Sequence, residues 1–119
     1  MILLLSSDLM FQSRISSAAR AAGKECIVDR SVTKLIERVT EGVTERGAVS
    51  LVLVDLTLRT VDLAQEIPLL HQTFSNCKIM AYGPHVDVER LTLAEQAGAD
   101  AVVTRGQMDR DLVAIIQGA

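Results

Sequence analysis

Two tetrads without a polar residue, Ile2-Leu3-Leu4-Leu5 and Leu51-Val52-Leu53-Val54, constrain the fold of this chain more than anything else in it. A strand that alternates apolar and polar residues can show one face to water, whereas a strand that is apolar throughout has both faces covered. Three further short runs, Cys26 to Val28, Lys78 to Tyr82 and Ala101 to Thr104, complete a set of five, and a segment of helical period follows each. Such alternation predicts an α/β chain with a parallel sheet between two helical layers. Right-handed crossovers leave few ways to thread it, and the doubly wound five-stranded order 2-1-3-4-5 is the leading one. The second run is short and flanked by Lys24, Glu25, Asp29 and Arg30, which suits a charged sheet edge.

The helical segments carry their own stop and start signals. Asp8 can cap a helix with the buried stripe Phe11, Ile15, Ala18, Ala19 and Ala22, ended by Gly23. Ser31 can cap the next, with Val32, Leu35, Ile36, Val39 and Val43 at helical spacing. The third carries Leu63, Ile67, Leu70 and Phe74, but Pro68 inside it predicts a kink or a later start. Asp87 caps the fourth, with Val88, Leu91 and Ala94 ahead of a Gly98 stop. The fifth uses Leu112, Ile115 and Ile116, with Asp109-Arg110-Asp111 as its solvated first turn.

At 119 residues the chain has room for one core, so residues 1–119 are read as a single domain without linker or repeat. Phe11, Phe74 and Tyr82 are its only aromatics, and the core has to be aliphatic. The formal charge of −3 supplies no basic footprint and argues against nucleic acid as the main partner. The N-terminal apolar run lacks a basic flank and is too short for a signal-peptide core or a bilayer span, which argues against a membrane role. Cys26 and Cys77 lie far apart with no CxxC spacing, as expected of reduced packing residues in a cytoplasmic protein.

The chemistry-bearing residues sit at the ends of the apolar runs. Asp55 closes the third run, and Asp8 follows the first after Ser6 and Ser7. In the 2-1-3-4-5 order the first and third strands are neighbours at the point where the winding reverses, and both acids meet on one rim there.

These residues resemble the receiver domain of two-component response regulators. The resemblance rests on Ser7-Asp8, on Val54-Asp55, on Gln96-Ala97-Gly98-Ala99-Asp100-Ala101-Val102-Val103 before the fifth strand, and on the spacing from Asp8 to Asp55 and on to Arg105. It spans essentially the whole chain and implies a flavodoxin-like three-layer sandwich with Asp55 as the candidate phosphoacceptor. Several departures accompany it. Where the family has an adjacent acid pair that helps hold Mg²⁺, this chain reads Ser7-Asp8. The spacing puts Gly83 where a Ser or Thr hydroxyl ends the fourth strand, Arg105-Gly106 where Lys-Pro ends the fifth, and Val102 at the aromatic switch position. The resemblance with these departures implies a degenerate, non-enzymatic signalling module, with aspartyl phosphorylation impaired or absent.

Three readings stay open at this stage. The first is a pseudo-receiver that binds a protein partner, a kinase or a downstream regulator, through the fourth and fifth helices and the fifth strand, with a homodimer compatible with the aliphatic composition. The second is a working Mg²⁺-dependent phosphoacceptor. No cofactor is demanded by the sequence, but Asp8, Asp55 and the Thr57 carbonyl can hold Mg²⁺ weakly, because this ion keeps several waters. Arg105 keeps a positive charge at the rim, although a planar fork is no direct substitute for an ammonium. The third is a small-ligand or flavin domain, disfavoured because Ser6-Ser7-Asp8 lacks glycine and sets a negative charge where a phosphate would bind. Each acid has a plainer role as well: Asp8 as a helix cap, and Asp55 as the partner of Arg105 in a structural salt bridge. His71 and His85 have no ligand-spaced companions and are read as solvated.

Overall fold

Each apolar run becomes a strand, and each periodic segment becomes a helix. A computed structural model describes residues 1–42 and 48–119. In chain order the elements are β1 (Ile2–Leu5), α1 (Leu9–Ala21), β2 (Cys26–Asp29), α2 (Val32–Glu41), β3 (Leu51–Asp55), α3 (Leu63–Thr73), β4 (Lys78–Gly83), α4 (Val88–Gln96), β5 (Ala101–Thr104) and α5 (Arg105–Gln117). The strands form one parallel sheet in the order β2-β1-β3-β4-β5. β1 and β3, the two wholly apolar tetrads, are buried along their length, while the outer strands β2 and β5 are half-buried. Val43, expected in the α2 stripe, lies outside the described residues.

Side chains alternate across the sheet and divide the core into two layers. Leu3, Leu5, Val52, Val54, Ile79 and Ala81 pack with Leu35, Val39, Ile67 and Ala94 beneath α2, α3 and α4. Leu4, Leu53, Met80 and Tyr82 pack with Phe11, Ile15, Met108 and Leu112 beneath α1 and α5. At ~25 cal/mol per Å² of apolar surface, each fully covered Leu, Ile or Val contributes roughly 1.5–3 kcal/mol, and this term holds the layers to the sheet.

Asp8, Ser31 and Asp87 cap α1, α2 and α4 by accepting from the amides of Phe11, Lys34 and Arg90. Gly23 and Gly98, at φ of 71° and 100°, turn the chain after α1 and α4 in a region of backbone space that side chains disfavour. One of the two alternatives for α3 is excluded, and one expectation for α5 is corrected. α3 does not start late: it runs from Leu63 through Pro68, its first turn closed by Glu66, whose amide donates to the Asp62 carbonyl and whose carboxylate accepts from the Asp62 amide. α5 begins at Arg105 directly after β5, so Asp109-Arg110-Asp111 falls in its second turn rather than its first. Among the described residues no helix is long and apolar enough to cross a membrane.

Candidate functional site

Strand register decides which side chains meet at the rim. β1 and β3 pair through Leu5 and Val54, so the next residues, Ser6 and Asp55, lie side by side just past the paired region. Asp55 in turn pairs with Tyr82 across β3 and β4. Leu53 faces the α1/α5 layer, and two residues on Asp55 faces it too. The sheet thereby gathers Ser6, Asp55 and Tyr82 beneath the start of α1 and the start of α5.

Asp55 is only 1% exposed, and a buried carboxylate is costly unless its oxygens are hydrogen-bonded. They are. The Ser6 hydroxyl donates to Oδ2 at 2.8 Å, and the Thr57 amide and hydroxyl donate to Oδ1 at 3.0 and 2.7 Å. Ser6 Oγ also accepts from the Asp8 amide at 3.1 Å, which joins the two acidic residues through one hydroxyl.

Asp8 performs two tasks with two oxygens. Its Oδ1 accepts from the Phe11 amide at 3.1 Å as the α1 cap, and its Oδ2 accepts from Arg105 at 2.8 Å. The Phe11 amide, and after it Arg105, hold the Asp8 carboxyl below its ordinary value against the opposing effect of burial. Arg105 is placed by being the first residue of α5, after a Thr104 cap that forms a full capping box with Gln107. Its guanidinium lies 4.2 Å from the centre of the Phe11 ring, and Phe11 packs on Tyr82 at 5.3 Å. The expected salt bridge from Arg105 to Asp55 therefore does not form, because Arg105 is engaged by Asp8 and the Phe11 ring.

Every carboxylate oxygen of Asp8 and Asp55 already has an internal donor. Only Asp55 Oδ1, with two donors from Thr57, is saturated; Asp55 Oδ2 and both oxygens of Asp8 each accept a single hydrogen bond. Among the described residues there is no group of three or more His, Cys, Asp or Glu side chains able to hold a metal. Thr57, read from the sequence for its carbonyl, presents its amide and hydroxyl to Asp55. Ser7 is half-buried and has no hydrogen-bond partner among the described residues.

Tyr82 brings an unanticipated group to the rim. It is fully buried, and its hydroxyl is the one deeply buried side-chain polar atom without a hydrogen-bond partner among the described residues. Burial, with the Asp55 charge adding to it, pushes its pKa far above the ordinary phenol value, against a smaller opposing effect of the Ser6 side chain. Gly83, where the sequence spacing looked for a hydroxyl, stands one residue past the partner of Asp55. A Cβ there would lie 2.9 Å from the Leu56 Cβ, in the opposite layer of the core. The strand end thus carries a phenol on the Asp55 side and an enforced glycine on the other. Val102 is half-buried on β5 against the α2–α4 layer.

A five-stranded 2-1-3-4-5 sheet with an acid at its reversal point is the fold of response-regulator receiver domains. Solved structures of that class superpose on nearly the whole chain. The receiver domain of the TMAO respiratory system response regulator TorR is 22% identical at a TM-score of 0.79, over 98% of this chain and 92% of that one. The receiver domain of NtrX from Brucella abortus is 14% identical at a TM-score of 0.73, over 100% and 99%. A response regulator from Burkholderia pseudomallei, solved with a phosphorylated aspartic acid, a calcium ion and citrate, is 15% identical at 0.72, over 98% and 65%. No family model matches the chain, and neither does any curated protein.

Proposed function

We propose that this protein is a pseudo-receiver: a signalling module that acts through a protein partner and does not depend on phosphorylation of Asp55. One observation carries the reading, namely that both oxygens of a buried Asp55 are held by Ser6 and Thr57. Phosphoryl transfer to a carboxylate needs a free attacking oxygen and a cation over the developing charge. Here the attacking group is closed in, and the rim's positive charge is spent on Asp8. Asp55 serves as a structural anchor between β1, β3 and the loop after β3.

The face formed by α4, β5 and α5 is the proposed contact surface. A shallow groove between α4 and β5 is lined by Val88, Leu91, Thr92, Val102, Val103 and Gln107. Beside it Val86 and Val88 are 76% and 64% exposed, which is apolar surface in excess of what folding needs. The partner is a kinase, a downstream regulator or a second copy of this chain.

Incubation with Mg²⁺ and a small acyl phosphate, followed by intact-mass measurement, tests the reading. The expected spectrum shows the unmodified mass alone. Stoichiometric labelling that is lost in Asp55→Asn would establish the working phosphoacceptor instead, and the related Burkholderia protein with its phosphorylated aspartic acid makes that the competing outcome.

A further inference from the structure

The loop between β3 and α3 is fastened at two points to the first turn of α4. Arg90 reaches back from α4 and donates through Nε to the Leu56 carbonyl and through a terminal nitrogen to the Leu58 carbonyl, each at 3.2 Å. These carbonyls flank Thr57, whose amide and hydroxyl grip Asp55. One loop residue further on, Arg59 pairs with Asp87 at 2.7 Å, and the other oxygen of Asp87 caps Arg90's own amide. Leu56 is also pressed against Gly83, where no Cβ fits, so the loop sits tightly on the end of β4.

From this arrangement we infer that Arg90 couples the Asp55 rim to α4. A guanidinium spanning two carbonyls fixes both the height and the tilt of the loop, as a planar fork with several donors can and an ammonium cannot. Any event that moves Thr57 displaces Leu56 and Leu58 with it, and Arg90 carries that displacement to the α4 side of the groove against β5. Arg90 is a positioning residue: it touches the backbone around the rim and none of the rim's carboxylates. The inference is independent of whether Asp55 is phosphorylated, since it concerns how any disturbance of Thr57 travels.

A double-mutant comparison by amide NMR tests it, because contiguity in space is not itself coupling. Thr57→Val removes one hydrogen bond to Asp55 while keeping the side chain's shape, and Asp55→Asn serves as a second, stronger disturbance. In the otherwise native protein each is expected to shift amides of residues 88–96. In an Arg90→Met background, which keeps the aliphatic stem, the α4 response is expected to be lost while the response of β1 persists. Arg90→Lys should restore part of it. An α4 response of undiminished size in Arg90→Met, or no α4 response in the native background, overturns the inference. No phosphodonor or partner is present in these measurements, so failure here leaves the reading of Asp55 standing, and labelling of Asp55 would leave this one standing.

Discussion

The Tyr82 hydroxyl and the Gly83 backbone occupy adjacent residues and obey opposite constraints. The buried Tyr82 hydroxyl has no partner in hydrogen-bond geometry among the described residues, so much of its desolvation cost, about 1–3 kcal/mol, is retained, with only the nearby Ser6 side chain to offset it. Tyr82→Phe removes that cost and keeps the ring on Phe11, so stability should rise by about 1 kcal/mol in urea unfolding. A loss of similar size would mean that the hydroxyl is bonded to the Ser6 side chain, which already opposes the effect of burial on its pKa. Gly83→Ser should do the reverse, costing about 1–3 kcal/mol by crowding Leu56, without bringing a hydroxyl to Asp55 from the far side of the sheet. Thermal or urea midpoints settle the sign at once. That Asp8 and Asp55 share a rim was legible in the sequence, because two apolar tetrads each led to an acid. Ser6 and Tyr82 were not, since their importance depends on which residues face each other across β1, β3 and β4. A shift of one residue moves a side chain to the other layer of the core, and this separates the spacing-based position Gly83 from the phenol at Tyr82.

At the scale of elements, the start of α5 does more than end the sheet. Thr104 is both the last residue of β5 and the cap of α5, so Arg105 is held in its helical place by the capping box that Thr104 makes with Gln107. Thr104→Ala should cost about 1 kcal/mol of stability. It should also free the first turn of α5 and loosen Arg105 from Asp8, a coupling readable as faster hydrogen exchange at residues 105–108 and at the α1 start. Unchanged exchange at α1 would show that Arg105 keeps its place without the cap. Periodicity revealed five helices and the caps Asp8, Ser31 and Asp87 in advance, because each cap precedes an apolar stripe. It does not reveal the abrupt junction at Arg105, since the apolar stripe read for α5 begins only at Leu112. With no loop there, the guanidinium comes over Phe11 and beside Asp8, out of line with the expected partner Asp55.

Across the whole molecule, polar contacts fasten the helices of each layer to each other. α1 and α5 are joined by Asp8 with Arg105 at the rim, by Arg14 with Asp109, and at the far end by Lys24, whose ammonium donates to the last carbonyls of α5. The opposite layer has its own fastening, from Arg59 and Arg90 to α4 and the loop before α3. Acid should therefore loosen the α1/α5 layer through Asp8. The sign follows from the direction of its shift: donors in the folded state hold its carboxyl below the ordinary 3.8, so folding favours the ionised form. That contribution is complete above about 3.8 and is lost as the pH falls through the lower folded value. Glu66 on α3 works against this trend, because burial raises its carboxyl and protonation favours the folded state there. Comparison with Asp8→Asn cancels the Glu66 contribution, since both proteins share it. The expected outcome is a native protein more stable than Asp8→Asn at pH 6, with the gap between their urea midpoints closing as the pH is lowered past the carboxylate range. A gap that stays constant with pH would show that the Asp8 charge is not what binds α1 to α5, and would remove the electrostatic part of the rim's design while leaving its hydrogen bonds in place.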